Sequence, residues 1–112
     1  MVLIPPVENT LPPCSEEGFL LQQQNWSESV ALELARREGI ALTDAHWEVL
    51  HLLRDYYLSF DSSPAMRALV KYCRQRLGDD KGSSIYLLKL FPGSPAKIGS
   101  KLAGLPKPAN CL

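Results

Sequence analysis

The chain has 112 residues, with twelve Lys and Arg against twelve Asp and Glu, two His and three Cys. That length makes one domain with room for a real core, and no apolar run approaches the roughly 18–20 residues of a membrane span. An odd cysteine count argues against a secreted disulfide framework and points to a reducing cytoplasm. Residues 1–6 are apolar but lack a basic n-region and a small-residue cleavage site, so no signal peptide is expected.

Charge is unevenly placed along the chain. All twelve acids fall within residues 1–80, whereas residues 81–112 carry Lys81, Lys89, Lys97, Lys101 and Lys107 and no acid. The C-terminal quarter is therefore locally basic and suited to an anionic partner, although a solvated lysine face has the same pattern.

The expected elements begin with residues 1–25, which carry prolines and no helical period. Two short apolar runs, residues 2–4 and 19–21, can pair as a small hairpin around Ser15-Glu16-Glu17-Gly18, with Pro12 and Pro13 confining it to an edge. Helices follow. Ser27 reads as an N-cap with Glu28 in the first turn and Trp26 as a staple, and Val30, Ala31, Leu34 and Ala35 form one face up to Gly39. Thr43 and Asp44 start a second helix striped by Trp47, Leu50, Leu53, Arg54 and Tyr57, expected to be the central and most buried one. Ser63-Pro64 reads as a cap with proline at the first helical position, leading a third helix that carries Met66, Leu69, Val70, Cys73 and Leu77 to Gly78. A short fourth helix is expected over 85–90. A fifth runs from Ser94-Pro95 to about Ala103, ended by Gly104.

Beyond Gly104, two prolines one residue apart, Pro106 and Pro108, lack amide donors and favour extended geometry. The tail therefore reads as a loose arm with Cys111 one residue from its end. At roughly 3.1–3.3 Å per residue, the thiol swings about 20 Å from the body. An incidental, disordered terminus is the plainer reading of the same residues. The expected class is mainly α (α+β): one domain over 1–112, divided into a hairpin region 1–25, a helical body of about five helices over 26–103, and a flexible arm over 104–112.

Few other constellations carry chemistry. Cys73 lies in an apolar stripe and reads as a small buried hydrophobe, and Cys14 sits in a proline-rich segment without a recognisable role. His46 and His51 are five apart and do not share a helix face, there is no C-x-x-C pair, and no metal or cofactor is expected. A mobile cysteine suits a carrier better than a Cys–His hydrolase, which needs a pre-organised nucleophile. Arg67, Lys71 and Arg74 recur at i, i+4 and i+7 on the polar face of the third helix. They read either as a solvated face or as the phosphate-contacting stripe of a helical nucleic-acid-binding or transcription-regulating module. No aromatic residue is interleaved there for base stacking.

A set of motifs resembles the DsrC/TusE family of sulfur carriers over about residues 16–112. They are Glu16-Glu17-Gly18-Phe19-Leu20, His46-Trp47-Glu48, Arg54-Asp55-Tyr56-Tyr57, Ser63-Pro64-Ala65-Met66-Arg67, Lys81-Gly82-Ser83-Ser84, Leu90-Phe91-Pro92, and Ala103-Gly104-Leu105-Pro106-Lys107-Pro108 with Cys111. The resemblance implies that Cys111 bears a persulfide. The dissimilatory branch carries a second cysteine eleven residues before the penultimate one, where this chain has Ser100. The resemblance therefore favours the branch that passes sulfur toward 2-thiolation of the tRNA wobble uridine. Its implied partners are a TusBCD-like donor complex and a tRNA 2-thiouridylase (MnmA-like), with its tRNA. A carrier in sulfur oxidation or sulfite metabolism is the alternative. Lys97, Lys101 and Lys107 are expected to serve docking or thiolate support. The family pattern usually has Gly at Ser94, Gln at Ile98 and Ala at Gly99, and glycine inside a helix costs about 1 kcal/mol against alanine.

Overall fold

Capping chemistry sets most of the helix boundaries. The structure is a computed structural model that describes residues 11–109; residues 1–10 and 110–112, and with them the expected strand at 2–4 and Cys111, lie outside the described residues. Helix α1, Glu28–Arg37, starts where the Ser27 Oγ accepts the N–H of Val30 at 3.2 Å. Helix α2, Asp44–Phe60, starts at Thr43, whose backbone N–H donates to Nδ1 of His46 at 3.1 Å. A histidine thus takes the place that Glu or Gln fills in most capping boxes. Helix α3 is Met66–Leu77, α4 is Ser84–Leu90 with Ser83 as its cap, and α5 is Pro95–Leu102 with its proline in the first turn.

One start differs from expectation. The cap of α3 is Ala65, not Ser63, and Pro64 precedes the helix as a buried residue. The Ser63 hydroxyl is used elsewhere: it donates to the carbonyl of Pro106 at 2.6 Å. A side chain committed to a partner 43 residues away cannot also cap its own helix.

The centre of the packing also differs. Helix α2 supplies Val49, Leu50, Leu52 and Leu53 to the core, but its far end is wet, with Leu58 84 % and Phe60 56 % exposed. The short α5 packs against α1, α2, α3 and α4, and is the hub of the domain. Its buried residues are mostly small: Ala96, Gly99 and Ser100 beside Pro95 and Leu102. Small side chains let helix axes approach closely. At Gly99 a Cβ would lie 2.9 Å from Cδ1 of Leu53. The helix-propensity cost of that glycine is therefore the counterpart of tight α5–α2 contact.

At the front, a single antiparallel bridge joins Cys14 to Leu20 around the loop at residues 15–18. The flanking bonds run from the Ser15 N–H to the Phe19 carbonyl (2.8 Å) and from the Leu21 N–H to the Pro13 carbonyl (3.0 Å). The described residues contain no longer strand, and no helix among them is long and apolar enough to cross a membrane.

Candidate functional site at the root of the arm

The tail leaves α5 through a set of captured carbonyls. The indole Nε1–H of Trp26 donates to the Leu102 carbonyl at 2.8 Å, and the Arg54 guanidinium donates to the Ala103 carbonyl at 2.7 Å. Arg54 also lies 4.2 Å from the centre of the Trp26 ring, a cation–π contact. The last carbonyls of a helix have no intrahelical donors, and here the residue before the Ser27 cap of α1 and a residue of α2 supply them. Trp26, expected as a staple for α1, is thus also an anchor for the end of α5. Burial pushes the Arg54 guanidinium down from its ordinary value.

Gly104 completes this root. Its φ is +75°, and a Cβ there would lie 2.4 Å from Cδ1 of Trp26. Only glycine satisfies both the left-handed turn and the close indole. Beyond it, Leu105 is 1 % exposed and Pro108 is buried, while Pro106 is tied to Ser63. The arm is therefore docked on the body at least to Pro108. The expected free swing from Gly104 does not apply to this stretch, because its leucine and second proline are apolar enough to be worth burying.

The predicted docking lysines converge beside the same root, each held by an acid from the front half. Lys97 and Lys107 meet the two carboxylate oxygens of Glu17 at 3.1 and 3.2 Å, and Lys101 meets Glu38 at 2.8 Å. Lys101 also lies 5.3 Å from the ring centre of Phe19. Hydrogen bonds from Lys97 and Lys107 hold the Glu17 carboxyl below its ordinary value. Three of the five lysines of the C-terminal quarter are thus neutralised by Glu17 of the front loop and Glu38 at the end of α1, and a fourth, Lys81, by Glu48 of α2 at 2.8 Å.

The other predicted groups lie apart. Arg67, Lys71 and Arg74 are exposed on α3, and Arg74 donates to the Gly82 carbonyl at 3.1 Å. Cys73 is fully buried, and burial together with the nearby Glu48 carboxylate pushes its thiol up to about 11, so it is protonated and inert near neutrality. Cys14 is half-buried beside a cavity of about 280 Å³ bordered by Glu17, Arg37, Glu38 and Lys101. His46 is structural: its Nε2 lies 2.7 Å from the Leu90 carbonyl while Nδ1 faces Thr43, so the Nε2–H tautomer satisfies both contacts. His51 lies between Trp26 and Trp47, with ring centres 6.2 and 6.1 Å away. No group of three metal-ligating side chains occurs among the described residues. Ser100 is fully buried with its hydroxyl unpartnered.

Sequence reasoning missed the Trp26–Arg54–Ser63 anchorage and the burial of Glu33. Glu33 is 3 % exposed, and hydrogen bonds from Arg36 and Arg37 hold its carboxyl down at about 2. The i+3 and i+4 spacing of those arginines was the available signal.

The family model described as "DsrC like protein" matches residues 7–112. Sulfurtransferase TusE of Sodalis glossinidius is 54 % identical over 96 residues, spanning 86 % of this chain and 89 % of that one. The protein of the same name from Escherichia coli K12 is 50 % identical over 96 residues, spanning 86 % and 88 %. Among solved structures, Allochromatium vinosum DsrC superposes with a TM-score of 0.81 at 41 % identity, covering 88 % of each chain. The oxidized gamma-subunit of dissimilatory sulfite reductase (DsrC) from Archaeoglobus fulgidus gives 0.76 at 39 %, covering 90 % of this chain and 92 % of that one. With its helices, its tail motif and these relatives in agreement, the chain belongs to the DsrC-like family.

Proposed function

We propose that this protein is a cytoplasmic sulfurtransferase that accepts persulfide sulfur on Cys111 and passes it on for 2-thiolation of the tRNA wobble uridine. The observation that carries this reading is the 50–54 % identity to proteins named sulfurtransferase TusE, along most of both chains. The anchored root of the arm supports it, because buried Pro108 fixes the place from which the last residues of the chain depart.

The chemistry needs no cofactor. The Cys111 thiolate attacks the outer sulfur of a partner's cysteine persulfide. A new S–S bond forms to Cys111, the partner's S–S bond breaks, and the partner's inner sulfur leaves with the electron pair and takes up a proton. Delivery repeats the exchange in the opposite sense, with no net oxidation. The donor is a TusBCD-like complex and the acceptor a tRNA 2-thiouridylase (MnmA-like) acting on its tRNA. Cys73 is unsuited to the role by burial and by its raised thiol. Lys97, Lys101 and Lys107 act through the arm root, where Glu17 and Glu38 hold them. The DsrC-like alternative in sulfur oxidation or sulfite metabolism would use a second cysteine, and buried Ser100 stands at its position.

Mass spectrometry after incubation with a persulfide donor tests the assignment. Wild-type protein gains one sulfur and Cys111→Ser gains none; equal loading of the two would reject it.

A further inference from the structure

We infer that the α3 face bearing Arg67, Lys71 and Arg74 is a docking groove for an acidic, partly apolar segment of the protein complex from which Cys111 takes sulfur. The inference rests on the carrier reading and adds the surface that would recognise the partner. Its first support is charge. Arg67 and Lys71 have no acidic partner among the described residues, and Arg74 is bound only to the Gly82 carbonyl. These cations thus differ from Lys81, Lys97, Lys101 and Lys107, all of which are ion-paired. Uncompensated cations side by side repel one another and favour an anionic visitor.

The second support is shape and polarity. Arg67, Lys71 and Arg74 share with Met66, Val70 and Ser84 the lining of an open groove of about 650 Å³. On α4, which packs against α3, Ile85 is 70 % and Leu88 42 % exposed. An apolar floor with a cationic rim matches a peptide segment carrying both carboxylates and aliphatic side chains. A single nucleic-acid strand would instead call for stacking aromatics; the groove lining has none, and Tyr56, Phe60 and Tyr72 line a separate pocket on the other side of Lys71.

The third support is position. Ser63, which holds the Pro106 carbonyl at 2.6 Å, lies two residues before the Ala65 cap of α3. The arm therefore passes the end of α3 at which the groove begins with Met66 and Arg67. A partner seated along α3 has the root of the thiol-bearing arm at one end of its contact.

The test uses the full chain in three assays: sulfur loading from glutathione persulfide, loading from the purified TusBCD-like complex, and filter binding to tRNA alone. Two variants are compared with wild type, Arg67→Glu/Lys71→Glu and the neutral Arg67→Gln/Lys71→Gln. The expected result is a fall of at least tenfold in kcat/KM for loading from the protein complex, carried by KM and larger for the Glu pair. Glutathione persulfide loading stays within twofold, and raising salt brings wild type toward the variants. Unchanged loading from the protein complex overturns the groove, as does a loss of tRNA binding in place of the protein effect, or equal losses with the small and the protein donor. The carrier reading fails separately, if Cys111→Ser still takes up sulfur.

Discussion

Two cationic regions of this molecule are built in opposite ways. Around the arm root, Lys97, Lys101 and Lys107 are tied to Glu17 and Glu38, and Arg54 is locked between an indole and a carbonyl. Along α3, Arg67 and Lys71 stand exposed without acidic partners among the described residues. The first region uses charge to hold its own chain in place, and the second keeps charge available to something else. Positive charge in a sequence therefore does not indicate a binding face until its partners are known.

The contrast is broken most severely at Gly104. Replacing Gly104 by Val puts a branched side chain against Trp26 in a left-handed turn, and a loss of about 3 kcal/mol is expected in urea unfolding. Arg54→Met comes next. It strands the Ala103 carbonyl and removes the cation from the Trp26 ring, costing about 2 kcal/mol. Trp26 fluorescence should shift in the same variant.

A gentler break is acid. The Glu17 carboxyl sits below its ordinary 4.5 in the folded protein, so its contribution is fully present above that value and is lost as pH falls through the lower folded one. Limited proteolysis should cut the tail near Lys107 faster as pH drops below 4.5, and Glu17→Gln should show the faster cutting at neutral pH. The smallest effect sharpens the comparison from the other side: Lys71→Gln should leave stability within about 0.5 kcal/mol, since no partner among the described residues is lost.

The local grammar of this fold was legible. Ser27, Thr43 and Gly104 marked helix ends because caps and left-handed turns depend on nearest neighbours. Cys73 read as core from the stripe around it. What was not legible depends on distant partners. Ser63 looked like a cap until its hydroxyl was found on Pro106, and Trp26 looked like a staple until its indole was found on Leu102. The hub role of α5 was hidden for another reason. Small residues give a weak apolar signal in sequence, yet they are what permits four helices to crowd around one.

The burial of Pro108 sets the length of the leash. Cys111 is the third residue beyond it, and a fully stretched chain gains at most about 3.6 Å per residue. While that proline stays seated, the Cα of Cys111 cannot travel much beyond about 11 Å from it, and the sulfur reaches only one short side chain further. The exchange proposed for Cys111 would then happen at the doorstep of this protein. The visiting enzyme must bring its own reactive sulfur to that radius, and a partner whose cysteine lies deeper than the leash is long is served only after Pro108 has been pulled free.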